Sequence, residues 1–128
     1  MKTTSAAAGA GGLTENLKKG VTEMLVLSLL AVRPMTIHEI LRLLDELSGG
    51  VCRISYPYAI IYRLSNSGFI SDSGKQVSDR RLRVYYEITE EGMAHRQQML
   101  AEYRAFTDAV DTLLQSLSND WKKEEKKE

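Results

Sequence analysis

Apolar residues recur at helical spacing in two successive stretches of the first part of the chain. The first stretch covers residues 13–32, and its second half, residues 24–32, is apolar on nearly all sides. The second follows Thr36, a favourable N-cap, and stops at Gly49-Gly50; its apolar positions are Ile37, Ile40, Leu41, Leu44 and Leu47. We therefore predict two α-helices, the first of them buried all round in its second half.

A third amphipathic stretch predicts a short helix with one side for packing and another for binding. Ser55 or Tyr56 can cap this helix, Pro57 fits its first turn, and Gly68 ends it. Its core side carries Ile60, Ile61 and Leu64, whereas Tyr58, Tyr62 and Arg63 lie largely elsewhere on the cylinder. Arg63 has a second interpretation, an ion pair with an acid on a neighbouring helix.

Two extended segments, residues 69–77 and 82–88, flank the polar sequence Ser78-Asp79-Arg80-Arg81 and predict a β-hairpin with a basic tip. In the second segment, Leu82, Val84, Tyr86 and Ile88 alternate with Arg83, Tyr85 and Glu87. Regular alternation of apolar and polar residues is typical of a strand with one buried face.

Thr89 can cap a final long helix, predicted over residues 90–117. Its apolar positions follow one another in steps of four and three residues: Met99, Tyr103, Phe106, Val110, Leu113 and Leu117. This heptad spacing gives a narrow apolar seam that needs a partner helix. The simplest partner is the same helix of a second copy, so we expect a homodimer. Residues 118–128 are expected to form a solvated, charged tail.

Composition agrees with one small domain that carries an appended helix. The chain has 128 residues, and 17 Lys and Arg balance 17 Asp and Glu. The charge is nevertheless unevenly distributed along the chain. Residues 50–86 hold six basic and two acidic side chains, whereas residues 87–128 hold six basic and ten acidic side chains. Such a basic segment is the electrostatic footprint expected of a polyanion-binding surface. Residues 1–12 are small and featureless, and we expect them to be disordered.

Several classes of function are excluded by features that the sequence lacks. Its longest strongly apolar run has nine residues, and a helix needs about 20 to span a bilayer. The single cysteine, Cys52, excludes an intramolecular disulfide and a Cys-x-x-Cys zinc site. His38 and Glu39 begin a metalloprotease motif, but Arg42 stands where its second histidine is needed. We expect a soluble cytoplasmic protein that is not an enzyme and uses no cofactor or metal.

The order of the elements predicts a mainly helical α+β fold, with a winged helix-turn-helix domain over residues 13–89 followed by a dimerisation helix. In this fold the third helix enters the major groove of DNA, and the hairpin reaches along the backbone or into a minor groove. We expect contacts with double-stranded DNA from Ser55, Tyr56, Tyr58, Tyr62, Arg63, Lys75, Arg80, Arg81 and Arg83. A dimer would read a palindromic operator. The alternative is a winged-helix module that binds another protein and has lost DNA binding, which the zero net charge leaves open.

Several segments resemble the PadR-like family of transcriptional regulators. Residues 17–30 resemble the opening helix of the family, and Ile61-Tyr62-Arg63-Leu64 followed by Gly68-Phe69-Ile70 resembles its recognition helix and exit. Residues 83–92, RVYYEITEEG, are similar to its strand-into-helix signature, and a single C-terminal helix is typical of its shorter branch. The resemblance implies a dimeric regulator, usually a repressor, that a small molecule bound near the dimer interface releases from DNA. Tyr103 and Phe106 are then candidates for contacting a small aromatic effector, besides packing in the seam.

Overall fold

The computed structural model describes residues 12–78 and 80–127, except for the side chains of Ser78 and of residues 120–127. In chain order the elements are α1 (Leu13–Leu30), α2 (Ile37–Leu47), α3 (Pro57–Asn66), β1 (Ile70–Ser78), β2 (Arg81–Ile88) and α4 (Glu90–Lys127). The described chain is mainly helical with a two-stranded antiparallel sheet, so the predicted fold class is confirmed. The segment predicted to be disordered, residues 1–12, lies outside the described residues apart from Gly12. None of the helices in the described part combines the length and the apolar character needed to cross a membrane.

Helix α2 begins with a reciprocal cap at the position that the sequence predicts. The hydroxyl of Thr36 accepts a hydrogen bond from the backbone N–H of Glu39 (3.1 Å), and the carboxylate of Glu39 accepts one from the backbone N–H of Thr36 (3.0 Å). Two N–H groups that a helix N-terminus leaves unpaired are thereby satisfied. Because Thr36 is buried, water has little access to these groups.

Replacing Thr36 with alanine should lower the free energy of unfolding by about 1–2 kcal/mol, because it removes the cap from a buried N–H group. Urea denaturation measures the loss. Thr36→Ser is the matched control, since it keeps the hydroxyl and should remain close to the wild type. An equal loss in the two variants would assign the effect to the methyl group instead of the cap.

The core lies where α1, α2, α3 and the base of the sheet meet. It includes the buried apolar side chains of Met24, Val26, Leu27, Leu30, Met35, Ile40, Leu44, Ile61, Leu64 and Ile70. The predicted burial of the second half of α1 was wrong, because Leu25 and Leu29 are only half-buried and Val32 is exposed beyond the end of the helix. Leu47, at the last position of α2, is exposed and borders a surface cavity.

The hairpin formed by β1 and β2, called the wing below, is antiparallel along its whole length. Its register pairs Ile70 with Ile88 at the base and Ser78 with Arg81 at the tip. The base is joined to the turn before α2, because Met35 and Tyr86 exchange two backbone hydrogen bonds of 3.1 and 2.9 Å. The wing is therefore held at one end.

The apolar face of the wing is covered only near its base. Ile70 is buried and Val84, Tyr86 and Ile88 are half-buried, whereas Leu82 near the tip is exposed. The face of the second strand that was predicted to be buried is therefore only partly covered at its end nearest α4, where Arg83 and Tyr85 of the opposite face are half-buried as well. The prediction was wrong for the tip, because the core of this small domain reaches only the base of the wing.

Helix α4 starts against the turn that ends α3. The hydroxyl of Thr89 accepts a hydrogen bond from the backbone N–H of Gly92 (3.0 Å) and donates one to the carbonyl of Gly68 (2.6 Å). The predicted cap is therefore present and also ties α4 to the preceding turn. A Cβ atom added to Gly92 would lie 2.1 Å from the carbonyl oxygen of Phe69. The first turn of α4 consequently has room for glycine alone at this position.

The beginning of α4 belongs to the winged helix-turn-helix domain. The ring of His95 stacks on that of Phe69 with centroids 4.1 Å apart, and Nε of Arg96 donates a hydrogen bond to the hydroxyl of Ser28 (2.9 Å). The chain accordingly divides into two compact units between Arg96 and Gln97. The domain boundary predicted between residues 89 and 90 lies seven residues before this division. The reason is that the cap marks where the helix starts and not where its packing on the domain ends.

The second unit contains the rest of α4. This helix continues to Lys127, through most of the segment predicted to be a charged tail after residue 117. The physical reason is composition, since Lys and Glu are strong helix formers and residues 118–127 contain no Gly or Pro. The predicted end of the helix was therefore wrong.

Candidate nucleic-acid interface

Helix α3 has one buried and one exposed side. Ile61 and Leu64 are 6% and 1% exposed, whereas Tyr58 and Tyr62 are 73% and 68% exposed. A phenol can donate and accept hydrogen bonds, and its ring adds apolar contact area. The helix is thus fixed on the core by its aliphatic side and offers two tyrosines to a partner, as a recognition helix requires.

The N-terminus of α3 is framed by two further candidate residues. Tyr56 occupies the N-cap position without a side-chain hydrogen bond to the helix, and Pro57 takes the first helical position. Both Ser55 and Tyr56 are exposed. Backbone N–H groups in the first turn of a helix have no helical partner and readily bind phosphate oxygens. This end of α3 therefore suits a contact with the DNA backbone, whereas its tyrosines suit the bases.

Arg63 differs from the other candidates because its guanidinium has a partner within the domain. Its Nε donates to a carboxylate oxygen of Glu23 on α1, so the ion pair considered from the sequence is present. The guanidinium has five N–H donors, and its side chain is more than half exposed. Arg63 therefore keeps donors accessible to solvent while it stays tied to α1. Sequence reasoning missed Glu23, whose only signal is its acidic side chain in an otherwise apolar part of α1.

The wing carries its cations at and near the tip. Arg80 lies in the turn with a φ of 64°, in the left-handed region that non-glycine residues rarely adopt. Arg81 and Arg83 are alternate residues of β2 and project from one face of the wing. Lys75 lies opposite Val84 and therefore projects from the other face. Basic side chains therefore lie in the turn and on both faces of the wing.

All the residues predicted to contact DNA lie in the first compact unit. Within this unit the end of α3 is joined to the start of the wing, because the backbone N–H of Phe69 donates a hydrogen bond to the carbonyl of Leu64 (3.0 Å). Those on the surface are Ser55, Tyr56, Tyr58, Tyr62, Arg63, Lys75, Arg80 and Arg81, and Arg83 is half-buried. Their accessibility and charge suit contacts with a polyanion.

The apolar seam of α4 is open in a single chain. Tyr103, Phe106, Val110, Leu113 and Leu117 are exposed, and Met99 is half-buried. Isolated apolar residues are common on protein surfaces, but a continuous apolar stripe marks a site of association. The seam therefore remains a candidate dimerisation surface, with Tyr103 and Phe106 as its aromatic members.

A cavity between α1 and α2 was not predicted from the sequence. Its volume is about 290 Å³, and its lining consists of Leu25, Ser28, Leu29, Leu43, Leu44, Leu47, Ser48 and Cys52. Cys52 is half-buried at this cavity. Sequence periodicity identifies apolar faces, but it does not show how closely two of them pack.

Comparisons with known proteins agree with this geometry. The model of the transcriptional regulator PadR-like family matches residues 26–98. A PadR family transcriptional regulator from Eggerthella lenta has a similar structure, with a TM-score of 0.69 and 26% identity over 77% of this chain and 86% of that one. A transcriptional regulator from Clostridium thermocellum gives a TM-score of 0.70 and 22% identity, over 76% of this chain and 96% of that one.

A PadR-like regulator from Bacillus cereus has the same fold, with a TM-score of 0.67 and 22% identity over 78% of this chain and 97% of that one. No curated protein matches the chain significantly. The family model spans more than half of the 128 residues, and it includes α3, the wing and the packed start of α4. The chain therefore belongs to the PadR-like family of transcriptional regulators, which are DNA-binding regulators and not enzymes.

Proposed function

We propose that the protein is a homodimeric transcriptional repressor that binds a palindromic operator in the cytoplasm. The observation that carries this proposal is the two-sided character of α3, which buries Ile61 and Leu64 and leaves Tyr58 and Tyr62 in solvent. Helix α3 lies in the major groove, where side chains can distinguish all four base pairs. The arginines of the wing contact the backbone beside it, which fixes the position of α3 on the duplex.

The exposed seam of α4 supports the dimer. Paired with the same helix of a second copy, its apolar residues would be withdrawn from water on both sides of a two-fold axis. The pair would hold two copies of α3 about 34–36 Å apart, which is one turn of B-DNA. A palindromic operator supplies two identical half-sites at this spacing.

The aromatic residues of the seam support a mechanism by which a small molecule releases the protein from DNA. Tyr103 and Phe106 are one helical turn apart and both exposed, so they offer ring faces to a small aromatic molecule. Such an effector would occupy the seam and thereby disrupt the pairing of the two α4 helices, which positions the two α3 helices. Binding of effector and DNA would then be coupled, each weakening the other by the same factor.

Selection from random-sequence duplex DNA with the purified full-length protein tests the proposal. We expect a palindromic sequence to be recovered, and we expect a complex of two chains per duplex. A folded dimer that binds neither the recovered pool nor random DNA at low salt would overturn the proposed function and favour a module that binds another protein.

The arginines at the wing tip should contribute to the salt dependence of binding. Each phosphate contact adds about 0.9 to the slope of log affinity against log salt, so Arg80→Asn with Arg81→Gln should reduce the slope by about two. Asparagine tolerates the left-handed conformation of residue 80, so the turn should be kept. Fluorescence anisotropy over a range of salt concentrations measures the slope.

Arg104→Gln provides the control, because Arg104 is an exposed arginine of the second unit, outside the predicted interface. Its slope should equal that of the wild type. A wild-type slope in the Arg80 and Arg81 variant would remove the wing from the phosphate contacts.

A further inference from the structure

Arg63 lies on the exposed side of α3 and is held there by an acid of another helix. The exposed positions follow helical spacing along this side and include Tyr58, Ala59, Tyr62 and Arg63. From α1, the carboxylate of Glu23 accepts a hydrogen bond from Nε of Arg63. The side chain of Glu23 is 23% exposed and that of Arg63 is 59% exposed. Glu23 is therefore the more enclosed member of the pair, and the guanidinium is the more accessible one.

The carboxylate of Glu23 changes what the guanidinium of Arg63 can recognise. With Nε committed, the N–H groups of the two terminal nitrogens remain, arranged in a planar fork. A neighbouring negative charge weakens the attraction of the guanidinium to a phosphate, but it leaves these donors in place. A side chain that is already restrained also loses less conformational freedom on binding. Arg63 therefore suits the neutral edge of a base better than a phosphate.

A fork of two donors requires two acceptors side by side, and this requirement selects the base. In the major groove guanine presents O6 and N7, whereas adenine has a donor next to N7 and each pyrimidine presents a single polar group. We propose that Arg63 reads a guanine in each half-site, and that Glu23 is a positioning residue that holds the arginine for this contact. This inference rests on the proposed binding of DNA by α3.

Specific and non-specific binding would respond to Glu23 in opposite directions. Glu23 favours the contact with guanine, because it fixes the guanidinium before DNA arrives. It disfavours binding to other sequences, because it offsets a positive charge that would otherwise attract a phosphate. Glu23 would therefore raise the ratio of the two affinities, although it touches no base itself.

Replacing single guanines of a selected duplex with 7-deazaguanine locates the contact. This base lacks N7 but keeps O6 and its Watson–Crick pairing, so one major-groove acceptor is lost. At one guanine of a half-site the wild type should bind about tenfold more weakly, within the range for a bidentate contact. Arg63→Gln should not respond to the same replacement, because it has no guanidinium.

Glu23→Ala tests the positioning. Alanine is a strong helix former, so α1 should be kept. The variant should respond less than about threefold to 7-deazaguanine, because its arginine is no longer fixed. On random-sequence duplexes it should bind about fivefold more tightly than the wild type, because Arg63 can then neutralise a phosphate. A purely structural role of Glu23 would instead weaken binding to all duplexes alike.

Glu23→Gln separates the hydrogen bond from the charge. The amide oxygen of glutamine can still accept from Nε of Arg63, but the side chain is neutral. We expect this variant to recover most of the response to 7-deazaguanine. Its binding to random-sequence duplexes should nevertheless be tighter than that of the wild type, as in Glu23→Ala.

Glu15→Ala is the matched control for Glu23→Ala. Glu15 is an acid of the same helix, and its carboxylate pairs with Lys18 (3.2 Å), which is also in α1. The substitution removes one negative charge from α1 and leaves the partner of Arg63 in place, so the response to 7-deazaguanine should equal that of the wild type. Circular dichroism verifies folding. If Glu23→Ala unfolds, Glu23→Met provides the measurement, since methionine keeps the length of the side chain without a strong acceptor.

The outcomes distinguish this inference from the proposed function. If the wild type binds the selected duplex but responds to no single 7-deazaguanine, or if loss of the Glu23 carboxylate leaves the full response, the inference is overturned and the proposed function stands. If the wild type binds no duplex at any salt concentration, the proposed function itself fails.

Discussion

Gly92→Ala should lower the free energy of unfolding by about 2–3 kcal/mol, as expected for overpacking against atoms that cannot move independently. The added Cβ would lie 2.1 Å from the carbonyl oxygen of Phe69 and 2.8 Å from Cγ1 of Ile88. The oxygen is a backbone atom that also accepts the N–H of Thr89 (3.0 Å). Relief of the clash therefore requires the first turn of α4 to move away from the turn that follows α3.

Gly20→Ala is the control for Gly92→Ala and should have the opposite sign. Gly20 is inside α1, and nothing lies within 4 Å of a Cβ added there. Alanine in a helix interior is favoured over glycine by about 0.5–1 kcal/mol. Urea denaturation of both variants at equal protein concentration measures the difference, since any dimerisation adds to apparent stability. Stabilisation by both substitutions would show that α4 does not pack closely at Gly92.

Leu113→Glu should raise the dissociation constant of the proposed dimer by at least about a hundredfold. Leu113 is in the seam and is 58% exposed in a single chain. Burial of a leucine contributes about 1.5–3 kcal/mol, and two-fold symmetry removes it twice and places two carboxylates together. Analytical ultracentrifugation measures dimerisation. Binding to a palindromic duplex should weaken to a similar degree, whereas binding to a single half-site should not change.

The neighbouring leucine gives a closely matched control. Leu114 is 60% exposed but lies outside the seam, one residue further around the helix. Leu114→Glu makes the same chemical change at nearly the same exposure and should affect dimerisation far less. Equal effects at the two positions would contradict pairing through the seam.

Local signals in the sequence were sufficient to predict most of the fold. Thr36 and Thr89 each cap the helix predicted for them, because a hydroxyl before an apolar repeat satisfies N–H groups whatever the tertiary structure. The glycines at 49, 50 and 68 adopt positive φ where the helices were predicted to stop. These features depend only on residues that are close together in the chain, so they can be predicted from one sequence.

Features that depend on how elements meet could not be predicted. The partner of Arg63 could have been any acid near α3, and only the packing of α1 selects Glu23. The exposure of Leu82 has the same origin, since alternation identifies an apolar face but not the distance over which the core covers it. The candidate DNA-contacting residues were identifiable as a group, because composition shows which side chains suit a polyanion.

The link between Arg63 and Glu23 has a consequence for how salt titrations of this protein are interpreted. Glu23 acts as an internal counterion of Arg63. If Arg63 leaves Glu23 for a phosphate, it displaces a cation condensed on DNA and contributes fully to the slope, because a single carboxylate condenses no cation in exchange. If Arg63 keeps Glu23, its charge is already neutralised. In this second case its net ion release is small, so the number of phosphates deduced from a titration omits this arginine even where it touches the strand.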